Sequence, residues 1–79
     1  MLKTATSSIQ VIDRVTTLLD AIAARPEPSS LKFLSAETHL HPSTAFRILK
    51  ALTGHGLVER TANGQYTLGV KLLHFGSRV

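Results

Sequence analysis

The chain contains no cysteine and no tryptophan, and it has no long apolar run. The absence of cysteine excludes disulfide bonds and thiolate zinc sites, and it fits a reducing compartment. No apolar stretch approaches the roughly 18 residues that a membrane-spanning helix needs. Residues 1–8 lack the apolar core of a secretory signal. We therefore expect a cytoplasmic protein with no membrane association.

Acidic residues are scarce in the second part of the chain. The 79 residues carry nine Lys and Arg against five Asp and Glu, which gives a formal net charge of +4. Residues 1–31 are balanced, so residues 32–79 hold the whole positive excess. This distribution favours a polyanionic partner for the second part, although a solvated surface with a chance asymmetry has the same composition. The length suits one small domain with a thin core.

Apolar side chains recur at three- and four-residue steps through residues 8–24, which predicts a first helix. Ser7 and Gln10 fit a capping box at its start. Pro26 ends the helix, because proline disfavours helical geometry in the residue before it. Residues 1–7 are interpreted as a flexible N-terminal tail.

Two more helices separated by a short break are predicted next. Residues 32–38 form a short helix with Leu34 facing the core. Ser30 and Lys32 are both possible first positions, because no decisive cap marks its start. Residues 38–41 interrupt the periodicity. Pro42 then begins a third helix, because proline is tolerated at a first helical position. The helix runs to about Thr53, and Gly54 and Gly56 supply the stop.

In the remaining segment the helical spacing of apolar residues ends, and the spacing becomes that of β-strands. Residues 57–60 and 65–68 predict two strands, and Asn63-Gly64 between them is a strong hairpin signal. Apolar residues within 70–75 indicate one more short helix. This order predicts a mainly α fold with a small β-hairpin: a winged helix-turn-helix with a three-helix core, a two-stranded wing and a C-terminal linker helix.

The third helix has two unlike faces. Its apolar side is predicted to be buried and consists of Ala45, Ile48, Leu49 and Leu52. Its other side is polar and basic and carries Ser43, Arg47 and Lys50, with Phe46 at the flank. Thr44 lies with Ser43 in the first turn, and both are expected to face a duplex. Hydroxyls in the first turn can bond bases or phosphates, Arg47 can pair with guanine or phosphate, and Lys50 suits a phosphate. Phe46 can pack on a thymine methyl or a sugar.

Each of these residues also has a purely structural interpretation. Ser43 and Thr44 can act only as helix caps, and Arg47 and Lys50 can form an ordinary solvated face. Phe46 can pack against the hairpin as satellite core. Turn chemistry alone can explain the polar residues of the hairpin, which are Arg60, Thr61, Asn63 and Gln65.

Little in the sequence supports an enzyme, a metal site or a cofactor. His39 and His41 near Glu37 lack cysteine partners and a clear further ligand, which is weak for zinc. No glycine-rich phosphate loop and no nucleophile with a base is present. We interpret the two histidines as turn or phosphate-contact residues. A protein-interaction module is a further alternative, for which Phe33 with Phe46 is the candidate apolar patch.

Two segments carry a family resemblance: LSAETHLHPSTAFRILKALTGHGLVER, and after it YTLGVKLLHFG. In order and spacing they resemble the N-terminal DNA-binding domain of the IclR family of bacterial transcriptional regulators, over about residues 8–79. The resemblance implies a homodimeric repressor or activator that binds a palindromic duplex operator at the nucleoid. It also implies a small-molecule effector on a further C-terminal domain, so that residues 69–79 begin a linker helix and the chain is a fragment.

The resemblance also implies roles for individual residues. Residues 8–68 would be the winged helix-turn-helix domain, with 42–53 as recognition helix in the major groove and 58–68 as wing. The resemblance places the DNA contacts at Ser43, Thr44, Phe46, Arg47 and Lys50, and on the wing at Arg60, Thr61 and Asn63. We further expect Lys32 and His41 to contact the DNA. The expected dimer contacts are Ile9, Ile12, Leu72 and Phe75.

Two residues depart from the family pattern. His39 stands in the turn where the family commonly has glycine, so either the turn is slightly strained or its geometry differs. Phe33 replaces a usually polar residue, which indicates either an extra interface or a local packing change.

Overall fold

The computed structural model describes residues 3–79, with side chains from Ile9 onward. Its elements follow the predicted order: α1 (Lys3–Ala23), α2 (Leu31–Thr38), α3 (Pro42–Gly54), β1 (Val58–Arg60), β2 (Tyr66–Leu68) and α4 (Val70–Gly76). The mainly α fold with one antiparallel hairpin is therefore confirmed. Across the described residues, no helix combines the length and the hydropathy that crossing a membrane requires.

Helix α1 begins earlier than the sequence pattern predicts. It is helical from Lys3, so Ser7 lies inside the helix and the capping box predicted at Ser7 and Gln10 is wrong. Residues 3–7, predicted as part of a tail, are helical, while residues 1–2 lie outside the described part of the chain. The physical reason is that residues 3–7 contain neither proline nor glycine, so nothing in them stops a helix.

Helix α2 begins at Leu31 and is capped by Ser30. The Ser30 hydroxyl oxygen accepts a hydrogen bond from the Phe33 backbone N–H at 3.0 Å, as an N-cap serine does. From the sequence, Ser30 and Lys32 were both possible first positions. In the structure Ser30 is the N-cap and Leu31 is the first helical residue. Leu31 is half-buried and packs against the core.

The turn between α2 and α3 is a Schellman motif with His39 in the left-handed region, at φ 58° and ψ 29°. The Leu40 N–H donates to the Ser35 carbonyl at 3.2 Å, and the His39 N–H donates to the Ala36 carbonyl at 3.4 Å. The Ser35 hydroxyl also donates to the Leu40 carbonyl at 2.6 Å. Of the two alternatives for His39, the structure has the left-handed turn, at a cost of roughly 1 kcal/mol relative to glycine.

One apolar cluster joins the first three helices to the hairpin. Its buried members are Leu18, Ile22, Leu34, Leu49, Leu52, Val58 and Tyr66. Tyr66 is only 2% exposed and extends the hairpin to a third segment, because Ser29 forms a β-bridge with it. The Ser29 N–H donates to the Tyr66 carbonyl at 3.0 Å, and the Tyr66 N–H donates back at 2.8 Å. The segment before α2 is thereby fixed to the hairpin.

The hairpin and α4 are joined at a close backbone approach. β1 and β2 pair with Arg60 opposite Tyr66. A Cβ atom on Gly69 would lie 2.1 Å from the Gly56 carbonyl oxygen, so only glycine fits there. The Gly69 N–H donates to the Leu57 carbonyl at 2.9 Å. Helix α4 thus starts from a fixed point, although none of its residues is buried.

Two buried serines allow a matched stability test. The Ser29 hydroxyl is fully buried without a hydrogen-bond partner in the protein, whereas the Ser35 hydroxyl is bonded to Leu40. Removing an unsatisfied hydroxyl relieves its desolvation cost, and removing a bonded one loses its hydrogen bond. We expect Ser29→Ala to raise the free energy of unfolding by about 1 kcal/mol and Ser35→Ala to lower it by about 1 kcal/mol. Urea unfolding checks this, and shifts of the same sign in both variants would contradict it.

Candidate nucleic-acid interface

The orientation of α3 is set by its apolar side. Ala45, Leu49 and Leu52 are buried, and Ile48 is half-buried beside them. At 100° per residue, the side chains opposite this seam must face solvent. The α3 outer face consists of Ser43, Arg47 and Lys50, all exposed. The predicted division of α3 into a buried seam and an exposed polar face is therefore confirmed.

His41 caps the N-terminus of α3. Its Nδ1 atom accepts a hydrogen bond from the Ser43 backbone N–H at 3.2 Å, and it lies 2.9 Å from the Ser43 hydroxyl oxygen. Pro42 occupies the first turn, where its missing N–H costs nothing. The cap is thus supplied by His41, and Ser43 is one of the capped residues and not the cap itself.

Phe46 lies on the side of α3 that faces the hairpin. It lines a groove, here named the wing groove, formed by Phe46, Lys50, Thr53, Gly54, Arg60 and Tyr66. Phe46 keeps 36% exposure there. Its place beside the hairpin favours the packing interpretation, and its open edge can still meet a ligand.

Arg60 is held against the hairpin from which it projects. Its guanidinium lies over the Tyr66 ring, 5.5 Å from the centroid, and its Nε donates to the Gly64 carbonyl at 3.4 Å. Together with Lys50 it gives the wing groove two cations, one from each side. Tyr66 was predicted only as a strand residue, and its place under Arg60 follows from the strand register, which pairs the two residues.

Thr44 lies on the other side of α3. It is half-buried, and it lines a groove between α3 and α1, the α1 groove, formed by Val11, Val15, Thr44, Arg47, Ile48, Ala51 and Leu52. The structure therefore separates Thr44 from Ser43, which the sequence pattern had grouped. Arg47 borders both the α1 groove and the α3 outer face.

The polar residues of the hairpin turn are engaged in the turn itself. The Thr61 hydroxyl donates to the Asn63 side-chain oxygen and accepts from the Gln65 N–H at 3.0 Å. Gly64 has φ 83°, whereas Asn63 keeps a negative φ. Gly64 alone therefore uses the positive φ that both residues tolerate, because Thr61 and Asn63 form a wider, side-chain-bonded turn. This geometry supports the turn interpretation of both residues.

Phe33 is covered by a cation. The Arg25 guanidinium lies 4.2 Å from the centroid of its ring, and Arg25 pairs with Glu27 at 3.2 Å. The pKa of Glu27 lies below its ordinary value because of its backbone hydrogen bond first and Arg25 second. Phe33 also packs against the core, so its departure from the family pattern is a local packing change. Its neighbours differ from those of Phe46, and the two rings do not form one patch.

The remaining predicted site residues are spread over the surface. Lys32 is exposed in the first turn of α2. Ile9 and Ile12 are 59% and 63% exposed on α1, and Phe75 is 55% exposed on α4. Leu72 is half-buried. Among the side chains described, no three His, Cys, Asp or Glu residues meet in a way that could hold a metal ion.

Comparison with protein families matches residues 11–62 to the IclR helix-turn-helix domain. No curated protein sequence matches the chain. Among solved structures, IclR from Thermotoga maritima is 24% identical with a TM-score of 0.80, over 89% of this chain and 28% of its own. An IclR-family transcriptional regulator from Rhodococcus sp. is 30% identical with a TM-score of 0.79, over 89% of this chain and 28% of its own.

A third similar structure contains a small molecule. It is an IclR homolog from Microbacterium hydrocarbonoxydans in complex with 4-hydroxybenzoate, 23% identical with a TM-score of 0.76, over 82% of this chain and 27% of its own. This chain therefore spans under one third of the length of these regulators. The winged helix-turn-helix architecture predicted from the sequence is confirmed by these likenesses.

The position of Phe46 beside Tyr66 predicts a stability effect. We expect Phe46→Ala to lower the free energy of unfolding by about 1–2 kcal/mol, because a half-covered ring loses part of its packing. Phe75→Ala is the matched control and should change it by less than about 0.5 kcal/mol at low protein concentration. Thermal unfolding followed by circular dichroism measures both. Equal effects of the two substitutions would contradict the packing of Phe46 against the hairpin.

Proposed function

Because this chain belongs to the family of IclR helix-turn-helix domains, which are DNA-binding domains of transcriptional regulators, we propose that it binds a specific duplex operator through α3. In this proposal α3 lies in the major groove and the hairpin is the wing. The observation that carries it is the α3 outer face, where Ser43, Arg47 and Lys50 project from a helix fixed by its buried seam. A B-form major groove of about 12 Å admits one such helix.

The charges on and beside this face suit a polyanion. No acidic residue occurs between Glu37 and Glu59, a segment that contains all of α3. Arg47, in the middle of α3, can give a bidentate pair to guanine O6 and N7 or bond a phosphate. Lys50 and Arg60 border the wing groove from opposite sides, as expected for two contacts to one phosphate backbone.

We propose the same chain to act as a homodimer on a palindromic operator. Exposed apolar residues on α1 and α4 support this, since Ile9, Ile12 and Phe75 are all more than half exposed and such residues gather at interfaces. A two-fold dimer places two recognition helices about 34–36 Å apart, one turn of duplex. Helix α4 would lead to an effector-binding domain, and the regulator would act in the cytoplasm, at the nucleoid when bound to DNA.

The two competing functions receive less support. A protein-interaction module needs a joined apolar patch, and Phe33 and Phe46 have different neighbours, Arg25 for one and the wing groove for the other. The family is one of transcriptional regulators and not of enzymes. His41, one of the two histidines considered as metal ligands, uses its Nδ1 to accept a hydrogen bond from the Ser43 backbone N–H. We propose no catalytic role and no cofactor.

Replacing Arg47 tests the proposed reading face. We expect Arg47→Ala to weaken binding to the preferred duplex by about 1–3 kcal/mol, because a base or phosphate contact is lost. Arg78→Ala, an exposed arginine beyond α4, removes the same charge and should change binding far less. A mobility-shift titration at several salt concentrations measures both, with affinity falling steeply as salt rises. Equal losses of affinity in the two variants would show that Arg47 does not lie at the DNA contact.

A further inference from the structure

The contact between His41 and Ser43 has a defined hydrogen-bond direction. The Ser43 backbone N–H points at His41 Nδ1 from 3.2 Å. A backbone N–H can only donate, so Nδ1 accepts and carries no proton, and the neutral ring is protonated on Nε2. The Ser43 hydroxyl oxygen lies 2.9 Å from the same Nδ1. Since Nδ1 accepts, the Ser43 hydroxyl must be the donor in this second contact.

This direction determines what Ser43 can offer to a ligand. A serine hydroxyl has one proton and two lone pairs, and here the proton is directed to His41. The oxygen therefore presents only lone pairs to the solvent side of α3, where Ser43 is exposed. A free serine can rotate its hydroxyl and pair with donors or acceptors on the bases. Phosphate oxygens only accept, so this oriented hydroxyl does not suit them.

We infer that His41 fixes Ser43 as a hydrogen-bond acceptor, so that α3 selects an exocyclic amino group at the base facing Ser43. In the major groove these groups are adenine N6 and cytosine N4, whereas guanine O6 and thymine O4 are acceptors. His41 is a positioning residue in this account, and Ser43 makes the base contact. The inference rests on the proposed function, because it assumes that α3 reads the major groove.

The base preference is measured by selecting duplexes from a randomised pool at pH 8 and sequencing the bound fraction. We expect one position at which Ser43→Ala removes the preference of the wild-type protein. Every base pair carries one amino group in the major groove, on adenine or cytosine, and one carbonyl oxygen, on its partner. At that pair, purine in place of adenine or 2-pyrimidinone in place of cytosine removes only the amino group, and the wild type should prefer the natural base over this analogue on the order of fivefold, the scale of a single hydrogen bond. A loss of Ser43-dependent binding when the partner's carbonyl oxygen is removed, with none when the amino group is removed, would overturn the inference.

Two substitutions of His41 separate positioning from helix stability. Asparagine is a good N-cap and its side-chain oxygen can accept from Ser43, so His41→Asn should keep the amino preference. His41→Ala removes the acceptor and frees the hydroxyl, so the preference should fall to less than about twofold. An unchanged preference in a folded His41→Ala protein would overturn the inference, since a structural role alone moves affinity and not base choice.

A measurement on the unsubstituted protein covers the case in which His41→Ala fails to fold. The ¹⁵N shifts of the His41 ring report its tautomer directly, and at pH 8 they should show the proton on Nε2. A proton on Nδ1 would overturn the inference. Failure of the wild-type protein to enrich any duplex would instead reject the proposed function, whereas enrichment without any position that depends on Ser43 rejects this inference alone.

Discussion

The burial of one side of α3 is the constraint on which the rest of the molecule depends. Ala45, Leu49 and Leu52 are buried, and the two leucines share one cluster with core residues of α1 and α2. Each buried leucine stabilises the fold by about 1.5–3 kcal/mol, whereas an exposed ion pair contributes about 1 kcal/mol or less. The apolar seam therefore decides the rotation of α3. Its outer face is exposed because of where the core lies, and not because of any attraction among its own polar groups.

The turn before α3 transmits this constraint to the site. Leu40 packs against the core, while its N–H and carbonyl are both bonded to Ser35. His39 adopts a left-handed conformation, which allows the chain to reverse direction there. His41 then caps α3 and orients Ser43. The first turn of α3 is thus held by core packing behind it and by hydrogen bonds at its start. A helix that reads bases needs side chains that are fixed in this way.

The sequence predicted the elements that strong local signals determine, and it failed at one helix start without such a signal and at one side-chain contact between segments. The α3 seam, the break at His39 and the hairpin all follow from periodicity, proline and glycine, and they are found where predicted. The predicted start of α1 was wrong because residues 3–7 contain no proline or glycine that would stop the helix before Ser7. The cation over Phe33 depends on Arg25, which lies in the connection between α1 and α2. No pattern in the sequence predicts that Arg25 covers Phe33.

Backbone amide chemical shifts test most directly whether the α3 outer face meets the duplex. The ¹⁵N-labelled protein is titrated with the duplex that it enriches from a random pool. We expect the largest shift changes at Ser43, Arg47 and Lys50, with smaller ones along the hairpin turn. Amides around Arg25 and Glu27, which lie outside both grooves of α3, should hardly change. Shift changes centred on Arg25 and Glu27, with α3 unaffected, would show that the duplex does not meet α3.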